Sequence, residues 1–306
     1  MSLPILQSEP WHRFSAIRAG MAHVSVISPV NEAELLAFAE HSRHIGLCLH
    51  AIGNGTNLIG SDMEEPSLCL IRHHRLNQME HLGDGLFRAQ AGISLHAFIL
   101  GALRHHFGGL SSISGIPGSL GGALSMNAGA NGGAISDVVQ EMHGVNLVTC
   151  QPWRWKNGDG GWGYRLSPVP PTVSITSALL QLQPISLDDE AAAITAEAER
   201  RRRVTPPGFS CGSVFRNPDG TPAGKLLEEA GCKGMTIGPF TVSPKHANWI
   251  VNSTGQPGRA TDCLELTRQM RQAVLQRFGI PLQLEWRTAR ILSCDNYIRY
   301  AMFPKR

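Results

Sequence analysis

Residues 108–133 read GGLSSISGIPGSLGGALSMNAGANGG, nine glycines in 26 positions. Ile113, Ile116, Leu120, Leu124 and Met126 punctuate the glycines at regular intervals. A flexible linker carries no such apolar residues, so this stretch reads as an ordered loop packed against a core. It holds much of an overall glycine excess: 33 of 306 residues, where an average chain of this length carries roughly 21. No Gly-X-Y period is present, which excludes collagen. Glycine has a specific use in such a loop. Without a Cβ the backbone approaches a ligand closely, and successive amides can turn towards an anion.

Working outward, a second glycine loop, Gly53-Asn54-Gly55-Thr56-Asn57, directly follows an apolar strand expected at 47–52. Another strand at 86–91 runs through Gly92 into a helix at 94–105. Neither glycine loop fits the dinucleotide fingerprint. Gly53-x-Gly55 lacks the third glycine, and Gly118-Ser119-Leu120-Gly121 has the wrong spacing. On spacing alone, the pair reads equally as two tight turns or as one phosphate cradle with Asn57, Ser119 and Asn127 as neutral donors.

The remaining elements follow from capping and periodicity. Asn31 and Glu34 start a helix at 32–41, with Leu35, Leu36, Phe38 and Ala39 on its buried face. Strands are expected at 141–149 and 172–182. A helix at 186–203 ends before Pro206-Pro207, and its last turn carries Arg200 to Arg203, read as a solvated helix end. Cys263, Leu266, Met270 and Val274 mark an amphipathic helix at 261–277 that stops at Gly279. Alternation over 280–287 then predicts a strand with Glu285 and Arg287 on one polar face.

Composition narrows the class. The chain is 42% hydrophobic and 17% charged, with net charge +3, so it buries a core and gives no sign of a nucleic-acid or membrane-surface partner. The seven cysteines, Cys48, Cys69, Cys150, Cys211, Cys232, Cys263 and Cys294, form no C-x-x-C pair, which speaks against a disulfide framework and a zinc site. Thirteen histidines bring no His-Glu-x-x-His set, so no metal site is expected. No targeting segment and no run of 18 apolar residues is seen, and a cytoplasmic location is the expectation.

Taken in order, the motifs resemble one family. IGNGTNL (52–58) is similar to its GGGSNLL loop, and GIPGSLGGA (115–123) with MNAG (126–129) to its GIPGTVGGA…MNAGA signature. GYR (163–165), GSVFRNP (212–218), AGKLLEEAG (223–231), KG (233–234), VSPKHAN (242–248), IVN (250–252) and LEWR (284–287) continue it. Over about residues 14–292 the chain resembles the UDP-N-acetylenolpyruvoylglucosamine reductase (UDP-N-acetylmuramate dehydrogenase, MurB) family, in its shorter type without an inserted tyrosine loop. The resemblance implies an α+β fold. Two α+β subdomains of the vanillyl-alcohol-oxidase type, at 1–67 and 68–203, would hold non-covalent FAD. A C-terminal α+β domain at 204–287 would bind the UDP-sugar, with the chain returning to the first subdomain at 288–306.

The resemblance also implies the chemistry. NADPH reduces FAD, and the enolpyruvyl ether of UDP-N-acetylglucosamine then takes hydride from flavin N5 at C3 and a proton at C2, in peptidoglycan precursor synthesis. Ser213 matches the proton donor, and Arg165 with Glu285 the pair on the substrate carboxylate. Gly53, Asn54, Gly55, Thr56, Asn57 and Leu58, then Gly118, Ser119, Gly121, Gly122, Asn127, Ala128 and Gly129, match FAD contacts. Tyr164, Asn217, Lys233 and His246 match the substrate side, with Lys245 a rival, and a monomer is expected. Read locally, Ser213 is only a turn or strand residue, Arg165 a surface stack on Tyr164, and Glu285 with Arg287 a salt bridge. Departures lie in the N-terminal Ser15–Ala22 segment, at Asn54 in place of a glycine, and at Ala134 in place of an acid. The rival readings are an FAD oxidase of the same fold acting on another substrate, and a UDP-sugar-binding protein without catalysis.

Overall fold

The computed structural model describes residues 3–218 and 221–289. Its first sheet is built from β1 (Gln7–Pro10), β2 (His23–Ile27), β3 (Cys48–Ile52) and β4 (Leu68–Arg72), with α1 (Glu32–His44) between β2 and β3. In space the strands run β1-β2-β4-β3, with β4 parallel to both neighbours and β1 antiparallel at the edge. Parallel pairing requires a crossover, and α1 supplies it. The Asn31 side chain accepts from the Glu34 amide at 2.8 Å, and the Glu34 carboxylate accepts from Val30 N at 2.6 Å. Such a cap contributes about 1 kcal/mol. The boundary expected after residue 67 falls just before the central strand β4, whose hydrogen bonding assigns it to this first unit.

The second unit is a five-stranded antiparallel sheet of β5 (Met79–Gly83), β6 (Leu86–Gln90), β7 (Val139–Asn146), β8 (Gln151–Lys156) and β9 (Val173–Gln181), ordered β8-β7-β9-β6-β5. Helices α2 (Leu95–Leu103) and α3 (Leu120–Ser125) and the long α4 (Leu187–Val204) accompany it. The apolar residues among the glycines do what their spacing predicted: Ile113, Leu120 and Leu124 are fully buried with Phe87 and Phe98. Burying a side chain of this size contributes about 1.5–3 kcal/mol. The glycines permit the approach. A Cβ on Gly121 would stand 2.9 Å from the Ala91 Cβ, so α3 lies directly against the end of β6.

The third unit comprises α5 (Ala223–Glu229), a small antiparallel sheet of β10 (Thr236–Ile237), β11 (Phe240–Val242) and β12 (Ile250–Asn252), and α6 (Ala260–Phe278). Cys263, Leu266, Met270 and Val274 are buried as the periodicity predicts, and Gly279 ends α6 at φ 69°. The strand expected at 280–287 does not form as one. Leu282 and Trp286 are buried, but the hydrogen bonds are divided among neighbours. Gln283 O accepts from Arg216 N, Glu285 N donates to Val214 O, and Arg287 N donates to Asn57 O. Arg287–Thr288 then pairs in parallel with Leu58–Ile59, and Ala289 packs with Trp11, Val24 and Leu70. The rest of the expected return, 290–306, lies outside the described residues.

Among the described residues, no helix is long and apolar enough to cross a membrane, and no group of three or more His, Cys, Asp or Glu is arranged to hold a metal. Cys69, Cys150, Cys211, Cys232 and Cys263 are buried free thiols.

Asp62 ties the first unit to the third. Its carboxylate accepts from the amides of Met21, Ala260 and Thr261 and from the Thr261 hydroxyl, at 2.9–3.1 Å, so it caps α6 from across the interface. Burial alone would raise its pKa, but these hydrogen bonds outweigh it and hold the carboxyl below the ordinary 3.8. Folding therefore gains stability from ionised Asp62 above the unfolded pKa and loses it as pH falls through the folded one. Asp62→Asn, which keeps one acceptor and loses the charge, should lower stability at pH 7 by about 1–2 kcal/mol in urea denaturation. The difference from wild type should shrink at low pH, and a pH-independent difference would contradict this role.

Candidate active site

The three units leave one large cleft of about 780 Å³, and both glycine loops line it. The loops touch. Thr56 Oγ1 donates to Pro117 O at 3.2 Å, and a Cβ on Gly53 would stand 3.0 Å from Ser119 Oγ and 3.5 Å from the Gly122 Cα. Among the described residues, the amides of Asn54, Gly55, Thr56 and Asn57 donate to no protein acceptor. Four consecutive unpaired amides beside a second glycine loop form an anion cradle. Gly55 adopts φ +68°, and its missing Cβ would lie 1.9 Å from Phe14 O. Gly118 adopts φ +143°, and Ser119 caps α3 by accepting from Gly122 N at 3.2 Å.

The charge around the cleft is one-sided. Arg72, Arg165, Arg201, Arg202 and Arg287 line it, against one carboxylate, Glu285. Burial, with Arg287 for His50 and His74 for His73, pulls His50 and His73 on its wall down to about 4, so neither is charged at neutral pH. Arg201 was expected in solvent with its neighbours. Instead it packs against Gly115, where a Cβ would approach its Cδ to 2.2 Å, and burial lowers its pKa. The signal for this was the arginine run itself, because a helix end facing the protein turns some of those positions inward.

On the cleft wall three distant segments converge. Gly212, at φ +72°, presents Ser213, which lines the cleft and also a second cavity of about 600 Å³. The irregular segment after Ser213 is pinned by Asn248: Phe215 N donates to Asn248 Oδ1 at 2.9 Å, and Asn248 Nδ2 donates to Phe215 O at 2.8 Å. Arg165 Nε donates to Glu285 Oε1 at 2.8 Å and its Nη1 to Gly129 O at 3.0 Å. Both side chains are largely buried, 22% and 13% exposed, so the pair is strongly oriented. Arg165 holds φ +54°, a left-handed conformation that a non-glycine residue adopts at a cost and that is common at functional sites. Glu285 thus pairs with Arg165 rather than with Arg287.

The other expected residues divide. Gly53 to Leu58, Gly118, Ser119, Gly121, Gly122, Ala128 and Gly129 line the cleft. Asn127 is not on its wall: its side chain donates to Gly163 O and accepts from Ser136 N, bracing the loop behind. Asn57 lines the cleft, but its amide donates to Glu285 O, so the reading of both asparagines as free donors is corrected. On the substrate side, Asn217 and His246 line the second cavity with Lys225 and Lys245. Asn217 accepts from Ala223 N, and Lys245 Nζ donates to the Arg202 and Thr205 carbonyls at the end of α4. Lys233 pairs with Glu228 at 2.5 Å and lines neither cavity. Tyr164, 60% exposed, stands outside both, its ring 5.3 Å from the Arg165 guanidinium carbon. His246 Nδ1 accepts from Asn248 N at 3.2 Å, and burial lowers its pKa. The neutral ring therefore carries its proton on Nε2.

The cradle, the excess of guanidiniums and the neutral apolar walls suit a flavin dinucleotide, whose pyrophosphate the four amides would receive. Residues 24–151 match an FAD binding domain, so fold and site define an FAD-binding oxidoreductase. Residues 205–289 match the C-terminal domain of UDP-N-acetylenolpyruvoylglucosamine reductase. The reductase of that name from Geobacter metallireducens is 34% identical over 286 residues, covering 92% of this chain and 93% of its own length. The one from Chloroflexus aurantiacus is 35% identical over 303 residues, covering 94% and 99%. The crystal structure of the Thermus caldophilus enzyme superposes with a TM-score of 0.80 at 27% identity, over 94% of this chain and 99% of that one. The chain belongs to the UDP-N-acetylenolpyruvoylglucosamine reductase family.

Gly118→Ala tests the cradle. Alanine at φ +143° is strained by about 1–2 kcal/mol, which should weaken FAD binding by about tenfold in fluorescence titrations of the apoprotein. Unchanged affinity would place the cofactor elsewhere.

Proposed function

We propose that the protein reduces UDP-N-acetylglucosamine enolpyruvate to UDP-N-acetylmuramate, with NADPH as electron source, in peptidoglycan precursor synthesis. The observation that carries this reading is that Ser213 and the Arg165–Glu285 pair line the same cleft as the two glycine loops. Bound FAD supplies the hydride that C3 of the enolpyruvyl group receives. Negative charge then builds at C2 and on the adjacent carboxylate, and fixed cations aimed there stabilise the transition state more than the ground state. Arg165, held in place by Glu285 and Gly129 O, is the cation for that carboxylate. Ser213 gives the proton to C2. A serine hydroxyl is a weak acid, so it serves only against a strongly basic carbanion, which this step creates.

The second cavity shares Ser213 with the cleft, and we assign it to the UDP-sugar. His246 contributes a neutral Nε2–H donor, and Asn217 and Lys225 further polar groups. Lys233 and Tyr164 stay at the periphery of this assignment. The division into two FAD-holding units and a substrate unit, the monomeric state and a cytoplasmic location belong to the same proposal. NADPH must reach the flavin through the cleft, so it and the sugar nucleotide take turns at one face.

Ser213→Ala should leave FAD affinity and flavin bleaching by NADPH unchanged while lowering steady-state turnover by about 10²–10⁴. Full turnover in the variant would remove Ser213 from the chemistry. A wild-type flavin that NADPH bleaches and the enolpyruvyl sugar never restores would point to another substrate.

A further inference from the structure

Asn57 belongs to the first glycine loop, and besides a weak contact of its side-chain amide with Met126 Sδ at 3.8 Å, its bonds go to the Glu285–Arg287 segment. Its Nδ2 donates to the main-chain carbonyl of Glu285 at 3.1 Å, and its own carbonyl accepts from Arg287 N at 3.0 Å. The two bonds clamp the chain on either side of Trp286. From the opposite side, Glu285 N donates to Val214 O at 2.8 Å, next to Ser213. The Glu285 backbone is thus held at its amide by the segment that carries Ser213 and at its carbonyl by the first glycine loop. Among the described residues, no other group donates to that carbonyl. The Glu285 carboxylate in turn fixes Arg165 Nε at 2.8 Å. A chain of short contacts therefore runs from the loop that faces the pyrophosphate, through Asn57 and Glu285, to the guanidinium on the cleft wall.

We infer that the Asn57 side chain, as distinct from its main-chain amide in the cradle, positions Glu285, and through it Arg165, and is not itself a ligand of the cofactor. The inference rests on the roles proposed above for that pair. Main-chain bonds to Val214 and Arg216 hold the segment at Gln283 and Glu285, and the Asn57 side-chain amide adds the bond to the Glu285 carbonyl that these leave open. A shift of about 1 Å at such a group can cost about 10²-fold in rate.

The test uses the holoenzyme in four forms: wild type, Asn57→Ala, Glu285→Gln and the double variant, with Asn57→Ser as a shorter donor should the alanine variant fold poorly. Three quantities are read: FAD affinity, the rate of flavin reduction by NADPH, and the rate of flavin reoxidation by UDP-N-acetylglucosamine enolpyruvate. Asn57→Ala should hold FAD within about threefold of wild type and be reduced normally, while reoxidation slows by about tenfold or more. In the Glu285→Gln background the same change should slow reoxidation by less than about twofold, because residues that act as a unit are not additive. Asn57→Ser should fall between wild type and alanine. Tenfold weaker FAD binding with normal reoxidation of the loaded fraction would make the Asn57 side chain a cofactor ligand and overturn the inference. So would a full, multiplicative loss in the double variant. Reduced wild type that this substrate does not reoxidise would instead overturn the reaction assigned above, and with it the role of Glu285.

Discussion

The contact between Gly53 and the Ser119–Gly122 turn is the constraint on which the rest depends. Two loops from different sheets approach to the distance that a single methyl group would fill, and Thr56 bonds across the gap. No side-chain-bearing residue at Gly53 would allow that approach without displacing Ser119. Among the described residues the amides of Asn54 to Asn57, beside this contact, have no protein acceptor and are available to an anion. The proposed cofactor site thus lies where two units pack together.

The groups on the cleft wall depend on the same junction. Ser213 sits on a segment pinned by Asn248, Glu285 on an irregular segment pinned by Val214 and Asn57, and Arg165 on a strained turn pinned by Glu285 and Gly129. The Arg165 and Glu285 side chains are held by each other and by Gly129 O, and the backbone beside Ser213 by Asn248, so these segments are preorganised before any ligand arrives. Asp62 supports it from behind by joining the first unit to the start of α6.

Much of this was legible in the residues, and the exceptions are instructive. Periodicity gave α6 and the buried residues among the glycines, because 3.6-residue spacing records which face is covered. Capping gave the start of α1 at Asn31, and the helices expected from Ser94 and Ser186 begin there, each capped by that serine. The alternation at 280–287 correctly marked Leu282 and Trp286 as buried but not the hydrogen-bond pattern, since alternation reports burial and not which neighbour pairs. Asn57 and Asn127 share the motif loops with the glycines, yet tertiary contacts direct their amides to Glu285 O and Gly163 O. Arg201 and Lys233 exchanged places with expectation for the same reason: a local run of charge does not say which member turns inward and which finds a surface partner.

The most direct test of the central claim is a crystal structure of the protein loaded with FAD. The account predicts pyrophosphate oxygens within about 2.7–3.2 Å of amides in the Asn54–Asn57 stretch, with the reactive edge of the flavin facing Ser213 and Arg165. A pyrophosphate bound away from both glycine loops, or a flavin edge turned from Ser213, would contradict it.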